Sequence, residues 1–297
     1  MSKMFNYFLI STLMLLVFTW RVWPDNDLHI VSCDVGQGDA TLIYKRFTQV
    51  LIDAGSSLQV LQCLNDHVPW FDKNIEMAVI THPQNDHMGG MSEVVSSYDV
   101  GVLVANGIRN PADFFEDFTN TLEENDVDLH IPTMGDVYVV GDLKFSVLWP
   151  RKKMGSRQAF SRKDRGFSGE NSVLGAYSGD LNEVSIVMLL EYGDVSALFT
   201  GDIGFREEQA LLGMGVINGV DVLKVPHHGS KFSSSELFLE ATRPNIALVS
   251  VGKNNQFGHP TSRVLMYLDT VGAKVLRTDE LGTIELVVDN NSIRLAE

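Results

Sequence analysis

Residues 78–90, AVITHPQNDHMGG, join a strongly apolar run directly to a polar loop that ends in two glycines. The loop carries His82, Asp86 and His87, and neutral imidazole and carboxylate groups are good ligands for Zn²⁺ and Mn²⁺. A lone histidine is usually structural, but two histidines and an aspartate in one loop indicate a metal site. The fold must therefore place this loop at the end of a strand, where other ligands can reach it.

Acidic or imidazole side chains also lie at the ends of other apolar runs. These side chains are Asp39, Asp53, Asp202, His227 and His228. In α/β proteins, functional residues collect where strands end in loops, so we expect these side chains to meet at one edge of the fold. One such strand end is a weak signal, whereas the whole set is a strong one.

Short apolar runs and helical stretches alternate from residue 28 onward. The pattern predicts strands at 28–33, 40–45, 49–53, 77–82, 100–105, 136–140, 143–149, 184–191, 195–200, 220–225, 246–251, 274–277 and 283–288. It predicts helices at 89–97, 112–125, 205–213, 234–241 and 261–271. Two series of strands, each with helices, indicate an α/β fold in which two sheets pack face to face between helices. We therefore expect an αββα sandwich in one domain, residues 26–297.

The first 25 residues differ from the rest of the chain. Residues 4–20 are almost wholly apolar, a length at the short end of what spans a membrane as a helix. Trp20 and Trp23 suit a membrane interface, and no small-residue cleavage pattern follows the run. We expect a retained anchor that places the domain on the extracytoplasmic side. A cleaved signal peptide and a buried helix remain alternatives.

The formal net charge of −15 argues against tight, non-specific binding of nucleic acids, which requires basic residues facing phosphates. Residues 151–165 invert this charge locally, with seven basic residues opposed only by Asp164. The segment is either a solvated loop or a flap that contacts the phosphates of DNA.

Cys33 and Cys63 are the only cysteines. We expect both to be buried thiols, although one disulfide is arithmetically possible.

Taken in order, the motifs of the chain resemble the metallo-β-lactamase-type hydrolase domain of the bacterial DNA-uptake channel protein ComEC. The matching motifs are DVGQGDA at 34–40, LIDAG at 51–55, THPQNDHMGG at 81–90, LFTGD at 198–202, VLKVPHHGS at 222–230 and GHP at 258–260. The region of Asn182 and Ser185 also matches. The resemblance spans about 28–290 and does not include the multi-spanning part of the channel. We therefore expect a free-standing relative that has its own anchor.

The resemblance implies a set of metal ligands and a set of catalytic residues. The implied metal ligands are His82, Asp86, His87, Asp202 and His227. The implied catalytic residues are Asp86, which orients the attacking group, and Asn182, His228 and His259, which stabilise negative charge. Neighbouring residues in a strand point to opposite sides, so only one of His227 and His228 is expected to bind metal. We assign His227 to the metal and His228 to the substrate; His259 has an alternative role as part of a turn.

The chain departs from the superfamily pattern in two places. Gln84 occupies a position where the fuller motif has a histidine and many ComEC-like domains have an aspartate. The histidine usual in the third motif is missing from the stretch between Asn182 and Met188. Because an amide is a poor ligand, the half of the site around His82 is depleted. We therefore predict one tightly bound Zn²⁺ or Mn²⁺ ion and no firm second site.

These features favour a metal-dependent hydrolase, with a phosphodiesterase or nuclease acting on DNA as the leading hypothesis. A hydrolase of small esters, lactones or envelope phosphoesters is the second. A binding module that has lost turnover along with its His82-side ligands is the third.

Overall fold

A computed structural model describes residues 23–153, 179–289 and 292–296, together with five isolated positions among the first 14 residues. These residues form two sheets. The strands are β1 (Leu28–Ser32), β2 (Thr41–Lys45), β3 (Thr48–Ile52), β4 (Asn74–Ile80), β5 (Asp99–Ala105), β6 (Asp128–His130), β7 (Val137–Val140), β8 (Leu143–Trp149), β9 (Val187–Tyr192), β10 (Val195–Phe199), β11 (Val222–Lys224), β12 (Ile246–Val249), β13 (Lys274–Arg277), β14 (Ile284–Asp289) and β15 (Ser292–Leu295). One sheet has the order β15-β14-β1-β2-β3-β4-β5-β6 and the other β13-β12-β11-β10-β9-β8-β7.

Helices cover the outer faces of both sheets. They are α1 (Gln59–His67), α2 (Asn85–Met88), α3 (Met91–Ser97), α4 (Asp113–Glu124), α5 (Phe205–Gly213), α6 (Glu236–Thr242), α7 (Ser262–Thr270) and α8 (Thr278–Leu281). One apolar cluster lies between the sheets, a second lies under α1, α3 and α4, and a third under α5, α6 and α7. The predicted arrangement of two sheets between helix layers is thereby confirmed.

Helix α4 illustrates how the sequence produces these layers. Its buried side chains are Phe115, Phe118, Thr119 and Leu122, which recur every three or four residues and so form one stripe along the helix. The stripe packs on the first sheet. Burying each phenylalanine contributes roughly 1.5–3 kcal/mol to folding.

The strand directions bring the polar strand ends together. β3 and β4 run parallel in the first sheet, and β10, β11 and β12 run parallel in the second. Parallel neighbours end at the same edge of a sheet. The loops after these five strands therefore meet at one edge of the sandwich.

The prediction that Cys33 and Cys63 are free thiols is wrong. The two residues form a disulfide with Cα atoms 5.9 Å apart, and no free cysteine is present. Cys33 directly follows β1, and Cys63 lies on the buried face of α1. The sequence pattern did not predict α1, so it gave no indication that the two residues approach each other.

Two of the predicted segments fall wholly or largely outside the described residues. These are the apolar segment 4–20 and most of the basic segment 151–165, of which Arg151, Lys152 and Lys153 are described and exposed. Among the described residues, no helix has both the length and the hydropathy that a membrane crossing requires.

Candidate metal centre

Side chains from both sheets converge at the edge where the parallel strands end. The first sheet contributes the β1–β2 loop, the residue after β3 and the loop after β4. The second contributes the residues after β10 and the short 3-10 helix Pro226–Gly229 after β11. The polar residues brought to this edge are Asp39, Asp53, His82, Asp86, His87, Asp202, Lys224, His227 and His228.

Three buried residues have their ligand atoms at the spacing that one metal ion requires. His87 Nε2 and His228 Nε2 lie 3.3 Å and 3.4 Å from Asp202 Oδ2. Two ligand atoms held about 2.0–2.1 Å from one ion at a tetrahedral angle are themselves roughly 3.3–3.4 Å apart. Asp86 Oδ2, which the sequence also assigned to the metal, lies 3.7 Å from His228 Nε2.

Two glycines allow the loops to approach this closely. Gly201 has a φ of +52°, and a Cβ there would lie 2.9 Å from Cβ of Ser185. Gly38 packs against the Asp86 backbone, where a Cβ would lie 2.2 Å from the carbonyl oxygen. Any larger residue at either position would displace Asp202 or Asp86, because backbone or buried atoms would have to move.

His87 is held in one orientation by a second carboxylate. Its Nδ1 donates to Asp53 Oδ2 at 2.7 Å, which leaves Nε2 for a metal. Asp53 is itself fixed, because it accepts hydrogen bonds from the backbone N–H and the hydroxyl of Thr81. A carboxylate behind a ligating histidine sets the tautomer and raises the basicity of the ligand nitrogen.

His228 is oriented in the same way by a backbone carbonyl. Its Nδ1 donates to the oxygen of Ser250 at 2.7 Å, so Nε2 points toward Asp202. His227 Nε2 lies 3.9 Å from Asp202 Oδ2, and the His227 side chain is 24% exposed. The sequence prediction gave the ligand role to His227 and the substrate side to His228. The geometry favours the reverse assignment.

Lys224, to which the sequence motifs assigned no role, is buried in this cluster. Its ammonium pairs with Asp39 and lies 3.7 Å from Asp202 Oδ1. The available signal was a lysine inside the apolar run of β11, since a lysine is almost never buried without a partner. Asp39, His87, Asp202 and His228 have ligand atoms within 4.8 Å of one another, so Asp39 is a further candidate ligand. Its ion pair with Lys224 competes with that role.

His82 is fully buried, and both of its ring nitrogens contact neighbouring side chains. Nε2 lies 2.9 Å from Gln84 Oε1, and Nδ1 lies 3.3 Å from Ser185 Oγ. The His82 and His87 rings are 4.1 Å apart between centroids. Gln84 thus occupies His82 Nε2, the ring nitrogen that contacts neither Thr81 nor Ser185.

The two remaining predicted residues, Asn182 and His259, do not belong to the group of clustered ligand atoms. Asn182 belongs to the short 3-10 helix Leu181–Val184, and its Oδ1 is buried without a hydrogen-bond partner among the described residues. The His259 ring lies 5.8 Å from that of His227 and stacks on Phe257, which is 68% exposed. His227, His259 and Phe257 therefore form a row from the buried cluster to the surface.

The charged side chains of the cluster shift one another's pKa values. Burial raises the pKa of the Asp202 carboxyl, but His87 and His228 outweigh burial and hold the pKa well below its ordinary value. Burial lowers the pKa of His228, whereas Asp202 and Asp39 raise it, and the resulting pKa is about 10. Burial lowers the pKa of His82 to about 3, with a smaller contribution from His87.

The residues present fit a divalent cation. Within the described part of the chain, His87 Nε2, His228 Nε2 and Asp202 Oδ1 are buried and make no hydrogen bond. Buried polar atoms are rarely left unpaired. Atoms that bind a metal ion are an exception, and these three atoms are placed to be such ligands. The donors are nitrogen and oxygen only, a set that accepts Zn²⁺ and Mn²⁺ alike. Metal binding would displace the protons that the two imidazoles otherwise hold.

Comparison with known families agrees with this architecture. The family model described as Metallo-beta-lactamase superfamily matches residues 33–253. The chain is 28% identical to ComE operon protein 3 of Bacillus subtilis, over 92% of this chain and 34% of that protein. It is also 28% identical to Recombination protein 2 of Haemophilus influenzae, over 87% of this chain and 28% of that protein. The chain therefore spans about a third of the length of these relatives.

Among solved structures, the chain is similar to YhfI of Bacillus subtilis, described as a metallo-beta-lactamase fold protein. The TM-score is 0.56 with 12% sequence identity, over 87% of this chain and 100% of YhfI. At this identity the likeness concerns the fold alone.

Proposed function

This chain belongs to the metallo-β-lactamase superfamily, and from that premise we propose that it is a metal-dependent phosphodiesterase that cleaves DNA outside the cytoplasm. The observation that carries the proposal is the ligand spacing around Asp202 Oδ2, where His87 Nε2 and His228 Nε2 lie 3.3 Å and 3.4 Å away. This is the spacing of a tetrahedral metal centre.

A divalent ion held by His87, His228 and Asp202 would lower the pKa of a bound water to about 7 and would polarise the substrate oxygen. The residues of this chain supply the rest. Asp53 and Ser250 orient the two ligating imidazoles. The Asp86 side chain is 34% exposed beside His228, and it is placed to orient the attacking oxygen through its carboxylate. Burial raises the pKa of Asp86, but His228 and His87 lower it to about 2, so Asp86 is ionised at neutral pH.

His227 and His259 lie on the exposed side of the centre and are candidates to contact the substrate. Burial lowers the pKa of His259 to about 4, with smaller contributions from His228 and His227, so the ring is neutral at pH 7. A neutral imidazole donates one hydrogen bond, which suits stabilisation of a developing oxyanion. Asn182 is proposed to act in the same way from the short 3-10 helix beside Ser185.

Four features support DNA as the substrate. The relatives include a protein named for recombination, and the motifs resemble a DNA-uptake channel protein. Phe257 offers an exposed ring on which a base of a single strand can stack. Arg151, Lys152 and Lys153 begin the basic segment 151–165, which can contact phosphates.

Two features support a location outside the cytoplasm. The apolar segment 4–20 is proposed to anchor the chain in a membrane. The Cys33–Cys63 disulfide suits an oxidising compartment, since disulfides are rare in reducing ones.

A nuclease assay on the full chain tests the proposal. Single-stranded DNA and bis(p-nitrophenyl) phosphate would be incubated with Mn²⁺ or Zn²⁺, using Asp202→Asn as the inactive control. We expect the wild type to cleave both and Asp202→Asn to cleave neither. Cleavage of carboxylic esters or lactones, with both phosphodiesters left intact, would instead identify a small-ester hydrolase. Absence of any turnover by the metal-loaded wild type would contradict the proposal that the chain is an enzyme.

A further inference from the structure

Four aromatic rings form a continuous patch on the surface, which we call the aromatic edge: Trp23, Phe47, Trp70 and Phe71. Trp23 packs edge-on against Phe47 with centroids 5.4 Å apart, and Phe71 lies 6.3 Å from Phe47 and 5.7 Å from Trp70. The edge is open to solvent, because Trp70 is 71%, Trp23 57% and Phe71 46% exposed. A contiguous apolar patch of this kind marks an interaction surface rather than a stabilised core.

The aromatic edge lies opposite the metal centre. Phe47 is in the turn that leads into β3, and Trp70 and Phe71 are in the loop that leads into β4. The metal-centre residues Asp53 and His82 follow the far ends of the same two strands. β4 has seven residues, so at about 3.3 Å each the two surfaces are roughly 20 Å apart.

The proposed membrane anchor would bring a bilayer next to this surface. The apolar segment 4–20 ends at Trp20, and only two residues separate it from Trp23, which is part of the aromatic edge. Exposed Arg46 directly precedes Phe47 in the sequence, and exposed Lys73 follows Phe71 by two residues. Tryptophan together with basic residues is the composition that favours the headgroup region of a membrane, where rings embed and cations meet phosphates.

We propose that the aromatic edge docks on the lipid surface and holds the metal centre facing away from the bilayer. The inference rests on the proposed membrane anchor and is independent of the substrate. An anchored chain keeps the edge within a few residues of the headgroups at all times, so docking needs no diffusional encounter. A soluble substrate then approaches the metal centre from the side that the membrane leaves open.

Site-directed spin labelling of the full chain tests this orientation. The native cysteines are paired, so a single added cysteine can be labelled selectively. Phe71→Cys places a nitroxide on the aromatic edge, and Phe257→Cys is the matched control beside the metal centre, since both phenylalanines are exposed. The chains would be reconstituted in vesicles of phosphatidylcholine and phosphatidylglycerol. Flotation would report anchoring, and collisions with oxygen and a water-soluble nickel chelate would report depth.

We expect the chain to float with the vesicles and the label at position 71 to lose collisions with nickel while keeping those with oxygen. The label at position 257 should stay accessible to nickel. Adding Trp70→Ser to the Phe71→Cys chain should restore nickel collisions at position 71 without preventing flotation.

Equal nickel accessibility at both positions in a floating chain would overturn the docking proposal but not the membrane anchor. Loss of both collision partners at position 71 would show burial against protein, such as a second copy, and would also overturn the proposal. A chain that does not float would refute the anchor and the docking together, leaving the nuclease assay unaffected.

Discussion

The imidazole of His87 lies between two buried carboxylates, and its Nδ1 donates to Asp53 Oδ2 at 2.7 Å. On the other side of the ring, Nε2 lies 3.3 Å from Asp202. Asp53 has a φ of +60°, a left-handed conformation in which aspartate is tolerated better than most residues. The aspartate of the LIDAG motif therefore has a definable task, which is to hold the His87 imidazole in one orientation.

Asp53→Asn should weaken metal binding by about 10–100-fold, the usual effect of losing a carboxylate behind a ligating histidine. The amide keeps the shape of the side chain but removes the charge that fixes the tautomer of His87. Isothermal titration with Mn²⁺ and Zn²⁺ would measure the change, with the exposed Asp99→Asn as the matched control. Unchanged affinity in Asp53→Asn would mean that Asp53 serves only the packing of Thr81.

Substitutions at the adjacent residues His227 and His228 should have different effects on metal binding and on kcat. His228→Ala removes a buried Nε2 beside Asp202 and should abolish stoichiometric metal binding. His227→Ala removes a partly exposed ring 3.9 Å away and should retain the metal while lowering kcat by about 10²-fold or more, the range typical of a group that assists catalysis. Metal content and steady-state kinetics on both variants distinguish the roles. The opposite pattern would restore the assignment that the sequence suggested.

Gln84→His should recruit a second, weaker ion. The Gln84 side-chain oxygen now lies 2.9 Å from His82 Nε2. An imidazole at position 84 would free His82 Nε2 and add a ring nitrogen of its own, so two nitrogens could bind the second ion. Metal content measured against added Mn²⁺ should rise from one ion per chain toward two, while the matched Gln84→Ala variant should stay at one. Loss of the first ion from Gln84→Ala would show that Gln84 is itself a ligand.

Stability should depend on pH through a second cluster, in which His29 contacts Glu285 at 2.7 Å and Asp25 at 2.9 Å. Burial lowers the pKa of His29, but Glu285 and Asp25 raise it above its ordinary 6.5. The hydrogen bond from His29 is the main cause that lowers the pKa of Glu285 below its ordinary 4.5. The contribution of His29 is complete below 6.5 and is lost as pH rises through its raised pKa. The contribution of Glu285 is present above 4.5 and is lost as pH falls through its lowered pKa.

The free energy of unfolding should therefore fall as pH rises above 6.5, and His29→Gln should flatten that fall. Urea denaturation at a series of pH values would measure it, with the more exposed His130→Gln as the control. An identical fall in wild type and His29→Gln would assign the pH dependence to other groups.

Much of the fold was predictable because its strands are short, apolar and bounded by turn residues. The predicted 143–149 and 205–213 coincide with β8 and α5. The sequence pattern missed β6, which has three residues, and β15, which contains exposed positions. Strands this short and this exposed carry too little alternation to be recognised. Helix α1 was missed as well, although its buried positions Val60, Cys63 and Leu64 are spaced for a helix.

The candidate centre was predictable as a set of residues but not in its internal geometry. The motifs named His87, Asp202 and the His227–His228 pair, which the structure brings together. The choice within the pair depended on the backbone: both residues have positive φ, so the alternation expected of a strand does not apply. Burial of Lys224 against Asp39 depends on contact between the two sheets, which spacing along the chain does not report.

The metal content of the purified full chain tests the central claim most directly. Mass spectrometry of the metals, after dialysis against Mn²⁺ or Zn²⁺ and removal of the excess, should find one tightly bound ion per chain in the wild type. Asp202→Asn should contain almost none, because a neutral amide replaces the carboxylate that both Nε2 atoms face. A wild type that retains no ion, or an Asp202→Asn variant that retains as much as the wild type, would contradict the metal centre described for this chain.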